Sequence, residues 1–254
     1  MNSETKETSS TSYITSAKDL VQRVEALDWN HISQDLDAHG NAIIKNLISS
    51  NDCDALVNLY SEDGIFRSRV VMEQHGFGRG EYKYFSYPLP DIVTGLRTTI
   101  YPYLAHIANR WNELMSIDIH YPEKHADFIA RCHDAGQIKP TALLLQYGKD
   151  DYNCLHQDLY GQHIFPLQIT ILLSEPQHDF TGGEFVLTEQ RPRMQSRPEV
   201  VPLLQGDAVV FAVHNRPVQG TRGGNVYRVN LRHGVSRIRS GHRYTLGIIF
   251  HDAK

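Results

Sequence analysis

Apolar residues recur every three or four positions in two segments of the N-terminal half. Residues 16–27, SAKDLVQRVEAL, follow this spacing behind a serine that can cap a helix. Residues 90–117 follow it over a longer run, which predicts a long helix or a pair of helices with Pro102 as a kink or break. Between these segments, GNAIIKNLIS predicts a short strand and SNDCDALVNLYSED predicts a capped helix that ends near Gly64.

The pattern changes after about Lys139, where short β-rich runs alternate with turn residues. This spacing favours a β-sandwich or barrel over βαβ units. No repeat or long linker separates the halves, so we expect one folding unit with helices outside a β-core. The predicted strands lie in TALLLQYG, YNCLHQD, FPLQITILLS, GGEFVLTE, EVVPLL, DAVVFAV, VYRVNLRHGV and HRYTLGIIF.

The composition is that of a globular protein, with 41% hydrophobic and 21% charged residues. Apolar runs are too short to span a bilayer, and the polar start MNSETKETSSTSY lacks the apolar region of a secretory signal. We therefore expect a disordered polar tail over residues 1–15 and a cytoplasmic location. Three scattered cysteines without a CxxC pair argue against a disulfide framework or a thiolate zinc site.

Charge is unevenly distributed along the chain. The net charge of -4 gives no general reason to expect a nucleic-acid partner, yet arginines outnumber acidic residues after residue 150. Two interpretations stay open: the arginines contact a phosphate backbone, or they pair with the acidic N-terminal half. They are Arg191, Arg193, Arg197, Arg216, Arg222, Arg228, Arg232, Arg237 and Arg239.

The stretch CLHQDLYGQH carries the candidate chemistry. His156 and Asp158 stand two residues apart at the end of a predicted strand, where alternation directs both side chains the same way. Two histidines and one carboxylate on one face of an octahedron form a non-haem Fe(II) site with open positions. The H-x-D pair alone is a weak signal, because it also fits an ordinary polar turn.

A second histidine strengthens the metal interpretation. His233 lies in a later predicted strand, and Arg243 follows ten residues on, at the start of the last apolar strand. A buried arginine there could bind a carboxylate through paired hydrogen bonds. His214 is the alternative second histidine; we favour His233 because only it has an arginine at this offset.

The ordered motifs LHQDLYG, TGGEFVL, GDAVVF and HGVSRIRSGHRYTLGIIF resemble the Fe(II)/2-oxoglutarate-dependent dioxygenases, in particular their prolyl-4-hydroxylase-like branch. The resemblance covers roughly residues 139–252. It implies an α+β fold with a double-stranded β-helix (jelly-roll, cupin-like) core. A single domain over 16–254 would then consist of mainly helical support over 16–138 and the catalytic core over 139–254.

The same resemblance implies roles for individual residues. His156, Asp158 and His233 would bind Fe(II), and Arg243 would bind the distal carboxylate of 2-oxoglutarate, although the branch often has lysine there. Tyr147 is a weaker candidate for a cosubstrate contact. The implied reaction consumes O2, hydroxylates a C–H bond and releases succinate and CO2.

Three functions are compatible with these residues. The whole chain is similar to a bacterial group proposed to act on alkylated DNA or RNA, which suggests oxidative dealkylation of nucleic acid. The alternative is hydroxylation of a protein side chain such as proline, with the tyrosines of EYKYFSYPLP lining a peptide groove. A non-catalytic β-barrel binding module is the third, and the complete set of four site residues argues against it.

Overall fold

The structure, a computed structural model, describes residues 15–220 and 225–254. The tail prediction for residues 1–15 therefore lies, except for Thr15, outside the described residues. Five α-helices and fifteen strands form in the described part of the chain. The helices are α1 (Ala17–Glu25), α2 (Trp29–His39), α3 (Ser50–Leu59), α4 (Asp91–Leu114) and α5 (His125–Asp134).

The strands form two antiparallel sheets and one short ribbon. The major sheet has the order β1-β11-β7-β15-β5-β4-β2, the minor sheet has the order β10-β9-β13-β6-β3 with β12 beside β13, and β8 pairs with β14. The strands are β1 (Asn41–Ile44), β2 (Phe66–Val71), β3 (Gly78–Arg79), β4 (Glu81–Phe85), β5 (Leu143–Tyr147), β6 (Tyr152–His156), β7 (Leu167–Leu172), β8 (Phe180–Gly182), β9 (Phe185–Gln190), β10 (Arg197–Val201), β11 (Ala208–Ala212), β12 (Asn215–Gln219), β13 (Val226–Val235), β14 (Ile238–Gly241) and β15 (Arg243–Ile248).

All eight strands predicted after Lys139 are present. The sequence did not reveal β8, β12 and β14, which are short and rich in polar residues and glycine. Such segments lack the apolar alternation that marks a strand, and pairing with a neighbour defines them. The N-terminal half also supplies β1, β2 and β4 to the major sheet and β3 to the minor sheet.

Helix α4 shows how packing overrides a local signal. Pro102 lies inside it, yet the helix continues without a break, so the long-helix alternative is the correct one. Ile100, Tyr101 and Leu104 on both sides of the proline are buried. Their burial offsets the loss of one backbone donor.

A hydrophobic cluster between the two sheets surrounds the inner end of the site. Phe185 and Leu187 from β9 are buried in the same cluster as Phe211 from β11 and Val235 from β13. Alternation places Phe211 toward this interior, whereas its neighbours Val210 and Ala212 are buried on the other face of β11, in the cluster that includes the helices. The functional side chains come from the strands that frame this interior.

Candidate metal centre

Three side chains converge at the open end of the interior. His156 ends β6, Asp158 follows two residues later, and His233 lies directly opposite His156 in the antiparallel pairing of β13 with β6. Nε2 of His233 lies 3.3 Å from Oδ2 of Asp158, and Nε2 of His156 lies 3.5 Å from Oδ1. One donor atom from each residue falls within 4.8 Å of the others.

The protonation of this cluster suits a cation. Nδ1 of His156 lies 2.8 Å from the carbonyl oxygen of Cys154, so this nitrogen donates to the carbonyl and Nε2 is the ring nitrogen that faces Asp158. Burial lowers the pKa of His233 and favours the neutral ring. Burial alone would raise the pKa of Asp158, but the hydrogen bonds to its carboxylate and the neighbouring imidazoles outweigh burial and hold this pKa below its usual range.

Two residues that the sequence did not reveal hold the Asp158 carboxylate. Nε2 of Gln168, on β7, donates to Oδ2 of Asp158 at 2.8 Å, and the hydroxyl of Tyr160 donates to Oδ1 at 2.7 Å. Only the amide nitrogen of Gln168 can donate to a carboxylate, which fixes the orientation of this amide. Spacing along the chain does not link Gln168 to the H-x-D pair, because β7 reaches the site through the tertiary fold, whereas Tyr160 follows Asp158 by two residues.

A second charged group lies in the same interior. Arg243 begins β15 opposite Tyr147 on β5 and is 1% exposed. Its Nε and Nη1 have no hydrogen-bond partner among the described residues. Burial lowers the pKa of Arg243 to about 10, so the guanidinium is still charged at neutral pH. A buried, unpaired cation is unfavourable unless an anion joins it, so this position could hold an anion such as a carboxylate.

Other side chains pack around Arg243 in the part of the interior that we call the arginine end. Tyr147 is fully buried, and its hydroxyl accepts a 3.3 Å hydrogen bond from the Asn153 amide. Burial raises the pKa of Tyr147 to about 12, which keeps the phenol protonated. Gly183 has a φ of +66°, and a Cβ there would collide with Cδ1 of Ile238 and approach Cδ of Arg243 to 3.0 Å. The pair Gly182-Gly183 thus leads into β9 and leaves room for the arginine.

One cavity of about 330 Å³ contains both ends of the site, with the three converging residues and Arg243 in its wall. Tyr82 and Tyr84 of the EYKYFSYPLP segment also line it. Tyr87 does not; its hydroxyl donates to the buried Asp252 carboxylate at 2.8 Å. The segment therefore contributes two tyrosines to the cavity and one to the helix–sheet contact.

The remaining histidines lie elsewhere. His214 is outside the cluster, with Nδ1 3.0 Å from the Asn215 amide, so the structure brings together His233 rather than His214. His251 is fully buried, and its Nδ1 accepts from the Phe165 amide at 3.2 Å.

Many of the arginines are paired. Arg191, Arg197 and the buried Arg216 all contact the Glu189 carboxylate, and Arg237 contacts Asp150. These four arginines are paired, but only Arg237 pairs with an acidic residue of the N-terminal half; the other three pair within the C-terminal half. Arg193, Arg228, Arg232 and Arg239 are exposed, and Arg222 lies outside the described residues. None of the described helices is long and apolar enough to cross a membrane.

Comparison with protein families gives a match over residues 80–253. The matching model, Oxygenase-NA, is described as an oxygenase catalysing oxidative methylation of damaged DNA. Uncharacterized protein Rv2227 of Mycobacterium tuberculosis strain H37Rv is 49% identical over 169 residues, which cover 66% of this chain and 72% of that protein. The corresponding protein of strain CDC 1551, MT2286, matches equally.

Solved structures share the architecture. A prolyl-4-hydroxylase of Pseudomonas putida superposes with a TM-score of 0.52 at 13% identity, covering 89% of this chain and 99% of that one. A 2OG-Fe(II) oxygenase family oxidoreductase of Burkholderia pseudomallei gives 0.50 at 15% identity, covering 90% and 93%. At these identities the likeness concerns the fold, and it confirms the predicted jelly-roll core with its helical support.

Proposed function

The chain belongs to the family of oxygenases described as catalysing oxidative methylation of damaged DNA, and from this premise we propose that it is an Fe(II)- and 2-oxoglutarate-dependent dioxygenase that oxidises a damaged nucleobase. Family membership confirms the predicted oxidoreductase class. The observation that carries the proposal is the single cavity that joins the two-histidine, one-carboxylate cluster to the unpaired Arg243.

The donor set fits iron. Nε2 of His156, Nε2 of His233 and one oxygen of Asp158 would hold Fe(II) on one face and leave the opposite positions for other ligands. Gln168 and Tyr160 hold both carboxylate oxygens, so Asp158 is oriented before a metal binds. Cysteine sulfur is absent from this cluster of described residues, which distinguishes it from thiolate zinc sites.

The arginine end fits the cosubstrate. Arg243 would bind the distal carboxylate of 2-oxoglutarate, and Tyr147 opposite it would add a hydroxyl to that end. When bound, iron and 2-oxoglutarate would supply the oxidising chemistry: 2-oxoglutarate is decarboxylated to succinate and CO2, one atom of O2 enters the succinate, and the other enters a substrate C–H bond. The protein orients the reactants and excludes water with the apolar walls around the triad.

The size of the cavity indicates that only a small part of a larger substrate enters it. About 330 Å³ lies near the lower end of small-molecule sites, so 2-oxoglutarate leaves room for one base or one side chain of a larger substrate. A nucleobase would have to leave its stack to reach the metal. The second candidate is a protein side chain, and Tyr82 and Tyr84 in the cavity are the observation that favours it.

Anaerobic binding tests the reaction class. Fe(II) with 2-oxoglutarate is expected to produce a weak visible metal-to-ligand charge-transfer band in the wild type. We expect the band to vanish in His233→Ala and to persist in the matched control His214→Ala. A wild type without the band would contradict the proposal and favour the binding-module alternative.

Turnover then separates the substrates. Succinate release should rise with an N-methylated oligonucleotide if a nucleobase is oxidised, and with a proline peptide if a protein side chain is.

A further inference from the structure

An aromatic side chain stands exposed at the opening of the cavity. Phe77 lines the cavity and yet is 48% exposed, and Leu155, which also lines it, is 44% exposed. Because both side chains line the cavity and are also exposed to solvent, they lie at the rim of the cavity. A single exposed apolar side chain is ordinary, but two of them at the opening of a cavity favour a contact surface.

The backbone holds Phe77 in a fixed position. The amide of Phe77 donates to the Met72 carbonyl at 3.1 Å, and its carbonyl accepts from the Cys154 amide at 2.9 Å. Gly76 and Gly78 on either side have φ values of +71° and +127°. A Cβ at Gly78 would collide with the backbone oxygen of Tyr152. The segment HGFGRG therefore holds Phe77 against β6, the strand that ends at the metal-binding candidate His156.

The neighbours of Phe77 are suited to nucleic acid. The His75 ring is stacked on Phe77, with centroids 5.3 Å apart and planes 24° apart. Arg79, two residues on, is half-exposed, and its ion pair among the described residues is a long 3.9 Å contact to Glu73. An aromatic side chain beside an accessible cation is the combination that binds stacked bases and their phosphates.

We propose that Phe77 stacks on the nucleobase adjacent to the one that is oxidised. The inference rests on the proposed function, and the cavity size gives its reason. A cavity of about 330 Å³ accepts one base, so the flanking nucleotides stay outside at the rim. Extrusion of the reacting base leaves its neighbour without a stacking partner. Phe77 replaces that partner, and Leu155 covers the edge of the gap.

The test uses a short single-stranded DNA with one 1-methyladenine flanked by 2-aminopurine, whose fluorescence falls on stacking. Binding to the full-length protein, with metal and 2-oxoglutarate present without O2, is measured by anisotropy. Phe77→Ala should weaken binding about 5- to 100-fold and raise the 2-aminopurine signal. Phe77→Trp should restore both. Ile119→Ala is the matched control, because Ile119 is similarly exposed (52%) and does not line the cavity.

The outcomes are distinguishable. Equal affinity and equal fluorescence in Phe77→Ala and Ile119→Ala would overturn the stacking proposal while the proposed function stands. A charge-transfer band without any oligonucleotide binding would overturn the nucleobase substrate and the stacking role with it. If the wild type shows no charge-transfer band, the proposed metal centre itself is overturned.

Discussion

Replacement of Gln168 by leucine tests how the Asp158 carboxylate is held, and it also removes an amide nitrogen that lies 3.4 Å from Nε2 of His233. The Gln168 amide donates a 2.8 Å hydrogen bond to Oδ2 of Asp158, and the side chain is 5% exposed. The amide oxygen of Gln168 has no partner among the described residues. Leucine is similar in size and removes the donor together with this unsatisfied acceptor. The substitution should therefore affect metal binding more than folding.

The size of the effect follows from the type of bond. A hydrogen bond to a charged group contributes about 1.5–3 kcal/mol, and about 1.4 kcal/mol corresponds to a tenfold change in affinity. Partners that orient a metal ligand typically change metal affinity by about 10- to 100-fold. We expect Gln168→Leu to raise the dissociation constant for Fe(II) or Co(II) within that range.

The assay is a competition titration with a chelating dye under anaerobic conditions. Thr170→Val is the matched control, because Thr170 lies two residues away on β7 and also lines the cavity. It should change metal affinity by less than about threefold, and metal-free Gln168→Leu should melt near the wild-type temperature. Wild-type metal affinity in Gln168→Leu would refute the idea that this amide orients Asp158.

Four further substitutions, one of them a control, probe the arginine end and the core. Arg243→Met should raise the 2-oxoglutarate dissociation constant at least ~100-fold by calorimetry, since it removes the partner of a buried charge. The same variant should melt higher than the wild type without cosubstrate; a lower melting temperature would show that the guanidinium is already paired. Gly183→Ala should weaken 2-oxoglutarate binding and lower stability, because the new Cβ collides with Ile238 and crowds Arg243. Gly136→Ala, at φ +78° in open space, should add only backbone strain of about 1 kcal/mol in urea unfolding. The pKa of buried His125 is lowered to about 3 by desolvation, so the unfolded chain binds this proton at higher pH than the folded chain. Its contribution to stability is complete above about pH 6.5 and is lost as pH falls toward 3, with about 2 kcal/mol lost between pH 7 and 5. His125→Gln should flatten the pH dependence of urea unfolding by that amount, and an unchanged slope would contradict the assignment.

The sequence by itself determined the features encoded in local spacing. The eight strand predictions succeeded because alternation and turn residues mark a half-buried strand regardless of its partners. The H-x-D pair could likewise be found, since two residues of separation at a strand end direct both side chains to one side. These signals operate over a few residues, within which the chain geometry is fixed.

Only the tertiary structure decided which distant residues meet. His233 joins the cluster through its register opposite His156, while His214 lies nineteen residues earlier in the chain and away from the site. Gln168 reaches Asp158 from the major sheet, and Phe77 reaches the cavity rim through a two-residue strand beside β6. Such contacts depend on how two sheets pack and pair, and no periodicity along the chain records them.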